Sequence, residues 1–126
     1  IYENINAAPI FYISAGLKFS EENDMLVKLQ NSDYNYNDYV YISEKKLEFH
    51  TSDLKYKIIN YEIKDDYAKF QIKTNNKCVL VFNYIYYPGW SVKVNNHPRK
   101  LLNVNYLFLA VVIDKTDNLI EFSFED

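Results

Sequence analysis

Cysteine is almost missing from this chain. Cys78 stands alone, which excludes an internal disulfide framework and any zinc site built on several cysteines. Gly16 and Gly89 are the only glycines, too few for a phosphate-cradling loop. Arg99 is the only arginine, the net charge is -3 and the pI is about 5.4. A nucleic-acid or anionic-membrane binder needs a basic excess, and none is present. The longest apolar run, Tyr106 to Ile113, has eight residues, against the roughly 20 of a spanning helix. No secretory signal pattern follows Ile1. The chain therefore reads as a piece cut from something longer, or as a small cytosolic protein trimmed at its start.

Aromatic residues are plentiful. They make up 17% of the 126 residues, with 13 Tyr and 8 Phe, and they favour strands over helices. Lysine, asparagine, isoleucine and tyrosine are also what an AT-rich genome supplies, so their abundance is not by itself a functional signal. With 48% hydrophobic and 25% charged residues the composition is that of a folded chain, and residues 1–126 read as a single domain.

Residues 1–9 form an irregular lead-in broken by Asn4, Asn6 and Pro9. Ile10 to Ala15 reads as a strand. Ser20 reads as the N-cap of a short helix with Glu21, Glu22 and Asp24 in its first turn. Met25, Leu26 and Leu29 would share its buried face. Period-two alternation then predicts strands at Tyr39–Ile42, Lys55–Ile63, Tyr67–Lys73, Trp90–Val94 and from Ile120 to the end. Cys78–Tyr84 and Tyr106–Ile113 are apolar on both faces and belong at the centre of the fold. Asn95-Asn96 suits the positive φ of a tight hairpin turn. About eight strands and one short N-terminal helix make a mainly β chain, an antiparallel, jelly-roll-like β-sandwich.

The run Tyr86-Tyr87-Pro88-Gly89-Trp90-Ser91-Val92-Lys93-Val94-Asn95-Asn96 resembles the signature near the C-terminus of YfhO-like bacterial membrane proteins. Glu3-Asn4 with Pro9, the Ser20–Leu29 helix followed by Asp33, and the Tyr61–Ile72 hairpin resemble other parts of that family, in the same order. Asn95-Asn96 replaces the family's Asp-Gly turn, and Asp117-Asn118 a glycine before the last strand. The resemblance implies a soluble, extracytoplasmic C-terminal domain on a multi-spanning protein of the GT-C glycosyltransferase type. It also implies a parent that uses a polyprenyl-phosphate sugar in cell-surface glycan modification. The family's presumed catalytic acids lie between membrane spans that this chain does not include. No catalytic residue, metal or cofactor is therefore expected here, and the implied partners are a glycan or the membrane part of the same protein.

Each candidate residue has two readings. Pro88, Gly89 and Trp90 form either a structural corner with a core indole or, with Tyr86 and Tyr87, an aromatic face for a sugar ring; the structural corner is preferred. Tyr34, Tyr36, Tyr39 and Tyr41, interleaved with Asn35, Asn37 and Asp38, could stack on a glycan or simply lead into an edge strand. His50 and His97 lack metal-ligand spacing and read as surface residues. Cys78 reads as an inert buried thiol, and Asp65-Asp66 and Asp114–Asp117 as turns. The alternatives to an accessory domain are a stand-alone carbohydrate-binding module and a protein-interaction module that pairs through a sheet edge.

Overall fold

The structure is a computed structural model, and it describes residues 9–86 and 88–125. Three sheets and one short helix account for most of it. The four-stranded sheet has the order β1-β7-β11-β10, with β1 Phe11–Ser14, β7 Cys78–Ile85, β11 Phe108–Ile113 and β10 Leu102–Val104. The five-stranded sheet has the order β5-β6-β12-β8-β9. Its strands are β5 Tyr56–Lys64, β6 Tyr67–Thr74, β12 Leu119–Phe124, β8 Trp90–Val94 and β9 His97–Arg99. Every pair in these two sheets is antiparallel.

The two sheets close on each other through alternate residues. Cys78, Leu80 and Phe82 of β7 and Leu109, Val111 and Ile113 of β11 meet Ala68, Phe70 and Ile72 of β6 and Ile120 and Phe122 of β12 in one buried cluster. Phe70, Phe82 and Phe122 are fully buried there, with ring centroids 5.4–6.0 Å apart. Val79 and Val81, one step out of phase on β7, point into a second cluster with Leu17, Val40 and Ile42. The four-stranded sheet is thus covered on both faces, which is why β11 is apolar throughout and β7 is apolar except for Asn83.

The cover on the second face is a small sheet, β3-β2-β4, made of β2 Gly16–Phe19, β3 Val40–Ile42 and β4 Phe49–His50. Here β2 and β3 run parallel, joined through α1 Glu22–Leu29. Parallel neighbours require such a crossover, and this one departs from the otherwise antiparallel pairing.

Two expectations about the helix are corrected. Ser20 is not its N-cap: that position is Glu21, without a side-chain cap, while Ser20 Oγ donates to Glu21 O and accepts from Lys28 Nζ. Of the three apolar residues assigned to the buried face only Met25 is buried; Leu26 is 50% exposed and Leu29 half-buried. The helix packs along a narrower stripe than its sequence suggests.

Trp90 is half-buried at the rim of the main core rather than fully inside it. Gly89 has φ +111, and a Cβ there would lie 2.6 Å from Glu125 O and from Phe124 Cε1. The corner thus needs glycine both for its backbone and for the close approach of β12. Asn95 and Asn96, with φ 51 and 69, make the tight turn between β8 and β9.

Candidate functional site

A groove of about 820 Å³ lies on the second face of the four-stranded sheet. Tyr12 of β1, Asn83 of β7 and Phe108 of β11 supply sheet residues to it. Its other side is the end of α1 and the following loop, with Gln30, Asn31, Ser32, Tyr34 and Tyr36. Among the described residues no charged side chain lines it.

The loop is held in place by its own polar side chains. Asn31 Oδ1 accepts from Asp33 N at 3.0 Å and Asn35 Oδ1 from Asn37 N at 3.0 Å, the side-chain turns that asparagine favours. Asn37 Nδ2 donates to Ile13 O at 3.0 Å and ties the loop to β1. The Tyr36 ring rests on Tyr12, centroids 4.4 Å apart, and the Tyr34 ring stacks on Tyr41 at 5.4 Å.

Asn105 organises the far end. It is 7% exposed, its Nδ2 donates to Tyr34 Oη at 3.0 Å, and Tyr34 Oη donates onward to Tyr39 O at 2.8 Å. Asn105 and the next residue, Tyr106, have φ 48 and 76. A tyrosine in the left-handed region is uncommon, and such strain concentrates where a surface must be shaped. Asn83 Nδ2 donates to Pro9 O at 2.7 Å, while its Oδ1 is buried without a hydrogen-bond partner among the described residues.

Burial, before any other cause, pushes the Tyr12 and Tyr34 phenols well above the ordinary tyrosine range. Both stay neutral at any physiological pH. Among the described residues the groove therefore presents aromatic faces, hydroxyls and carboxamides, with no formal charge. That chemistry suits a neutral polyhydroxylated ligand: rings stack on its apolar faces, and amides bond its hydroxyls.

The sequence-based candidates separate in space. Tyr34 and Tyr36 line the groove. Trp90 packs on the opposite side of the four-stranded sheet, edge-on to Phe82 at 6.1 Å and Tyr84 at 5.9 Å, and beside Phe124 at 5.5 Å. Tyr86 is 39% exposed and outside the groove, and Tyr87 lies outside the described residues. Tyr12, Asn83 and Asn105 were not legible as site residues, because each joins the loop only through the fold.

A second, more open depression of about 490 Å³ is lined by Leu17, Lys18, Asp38, Tyr39, Glu48, Phe49 and His50. His50 Nε2 lies 2.7 Å from Asp38 Oδ1, both side chains about half exposed. Among the described residues no cluster of three or more metal-ligating side chains occurs. Cys78 is buried, and burial pushes its thiol up to about 11, far from a reactive thiolate. Asp114 N donates to Asp117 Oδ2, and Asp117 pairs with Arg99 at 3.2 Å, so these acids hold a turn.

Among the described residues no helix is long and apolar enough to cross a membrane. Neither the curated proteins nor the solved structures offer a match to the chain. A family model described as bacterial membrane protein YfhO matches residues 17–125, from β2 to the end of β12 and through the Pro88-Gly89-Trp90 corner. On that match the chain belongs to the YfhO family of bacterial membrane proteins.

Proposed function

We propose that the chain is a non-catalytic accessory domain on the extracytoplasmic side of a membrane-embedded, GT-C-like glycosyltransferase, and that its tyrosine–carboxamide groove holds a neutral glycan. The observation that carries this is the uncharged groove lined by Tyr12, Tyr34, Tyr36, Asn83 and Asn105 in a chain of a membrane-protein family. Charged sites select phosphates, nucleotides or acidic peptides; this one offers stacking and hydrogen bonds alone. The reaction belongs to the membrane part, and this domain would hold or shape the acceptor.

Calorimetry against neutral oligosaccharides tests the groove. Weak, saturable binding is expected, lost in Tyr36→Ala; binding unchanged in that variant overturns the assignment. The complete reading frame tests the rest, with many apolar spans expected ahead of residue 1. A frame opening near Ile1 without spans contradicts the accessory role and leaves a stand-alone carbohydrate-binding module.

A protein-interaction role through a sheet edge has one observation in its favour. The outer strand β5 exposes Tyr56, Ile59 and Tyr61 at 45–57%. Its register shifts between Ile58 and Asn60, and a bulge of this kind blunts an edge against pairing. The groove is therefore the better site.

A further inference from the structure

Five large apolar side chains are exposed at one end of the four-stranded sheet: Ile10, Ile85, Tyr86, Tyr106 and Leu107, at 38–55%. They come from three adjacent strand ends. Asn83 N donates to Ile10 O at 2.8 Å, Phe108 stands opposite Ile85, and Tyr86 N donates to Leu107 O at 2.6 Å. The left-handed pair Asn105-Tyr106 turns the chain from β10 into β11 and leaves Tyr106 and Leu107 at the surface. Backbone strain is thus kept at the place that presents the apolar residues.

The strands that supply this end carry no charge along long stretches. Residues 7–17, 78–92 and 101–113 contain no Asp, Glu, Lys or Arg. The other sheet approaches this end through backbone bonds, with Asp66 O accepting from Phe124 N and Glu125 N donating to Gly89 O, and its charges there are mixed, since Lys64 pairs with Tyr67 beside Asp66. Single exposed apolar residues are ordinary on a protein surface, but three aliphatics and two tyrosines at one end mark a contact.

We propose that this end rests against a phospholipid bilayer, with Ile10, Ile85 and Leu107 in the acyl boundary and Tyr86 and Tyr106 at headgroup level. Tyrosines flanking aliphatics are the composition of a membrane–water interface. The five side chains carry no charge, so the contact is apolar and insensitive to salt. The inference rests on membership of a membrane-protein family, not on what the groove binds. It adds an orientation: Asn83 bonds Ile10 and lies two residues before Ile85, and Asn105 precedes Tyr106, so the groove opens beside the bilayer.

Trp90 reports on this end, because its ring lies 5.9 Å from that of Tyr84, one residue before Ile85, and it is the only tryptophan. The chain, held by a tag ahead of Ile1 on neutral phosphatidylcholine vesicles with nickel-chelating lipid, is compared on brominated and unbrominated acyl chains. Bromine is expected to quench Trp90, equally at low and high salt. Ile85→Asp with Leu107→Asp is expected to abolish the quenching; without the tether, vesicle partition should fall about tenfold or more. Unfolding of the double variant at an unchanged temperature shows that it folds, and Ile85→Ser with Leu107→Ser serves if it does not. Equal quenching in wild type and folded variant overturns the proposal. So does a wild-type chain that is unquenched, or that sediments as a dimer dispersed by the same substitutions. Glycan calorimetry on the double variant and on Ile85→Ser with Leu107→Ser separates the two claims, since neither substituted residue lines the groove.

Discussion

Asn105 and Tyr41 hold each other twice: Tyr41 N donates to Asn105 Oδ1 at 2.8 Å, and Asn105 N donates to Tyr41 O at 2.9 Å. The pair joins the β10–β11 turn to β3 across 64 residues of sequence and fixes the end of the groove. Asn105→Ala removes the acceptor from a buried amide and puts alanine at φ 48. A loss of about 2–3 kcal/mol is expected in urea unfolding, because an unsatisfied buried donor costs ~1–3 kcal/mol and left-handed backbone adds to it. A loss near zero would mean that the turn does not depend on this side chain.

The corner between β7 and β8 gives a second expectation. Gly89→Ala meets both φ +111 and a carbonyl oxygen 2.6 Å from the new Cβ. The cost should be about 2–4 kcal/mol, read as a lower denaturation midpoint. Full stability in the variant would show that the corner relaxes freely.

Trp90→Ala should cost about 2 kcal/mol, less than the ~3–5 of a fully buried indole, because the ring sits at the core's rim. Trp90→Phe should recover part of the loss through Phe82, Tyr84 and Phe124. An alanine variant as stable as the parent would place the indole outside the packing.

Alkaline pH should weaken the fold. Burial, helped by the hydrogen bond to Glu121, pushes Tyr67 up to about 12, and burial alone is the main cause that takes Cys78 to about 11. Tyr12, Tyr34 and Tyr41 are displaced in the same direction. A group whose folded value exceeds its unfolded value contributes stability below the unfolded value and loses it as pH rises. The decline should start near pH 9 for Cys78 and near pH 10 for the phenols, continuing through about 11 and 12. Circular dichroism against pH, with phenolate absorbance, checks this; a phenolate signal that accounts for all 13 tyrosines near pH 10 without loss of structure would contradict it.

The sandwich was legible because its long strands obey simple periods. Alternation placed β6 and β12, and the mainly apolar runs placed β7 and β11 at the centre, although Tyr106 and Leu107, the start of the second run, sit in an exposed turn before β11. The strands that went unread, β2, β4, β9 and β10, have two to four residues each, too few for a period to show. Ser20 had the right residue type for a cap, but its hydroxyl is taken by Glu21 O and Lys28. For the groove, Tyr34 and Tyr36 stood out as an aromatic run. Asn105 did not, because its partner Tyr34 is 71 residues away and only the three-layer packing brings them together.

The most direct measurement is a nuclear magnetic resonance titration of the chain with neutral oligosaccharides of glucose and N-acetylglucosamine. Saturable shifts are expected in the amides of residues 30–36 and in the side-chain amides of Asn83 and Asn105, and they should vanish in Tyr36→Ala. Shifts confined to the Trp90 corner or the His50 depression, or none at high sugar concentration, would contradict the glycan groove.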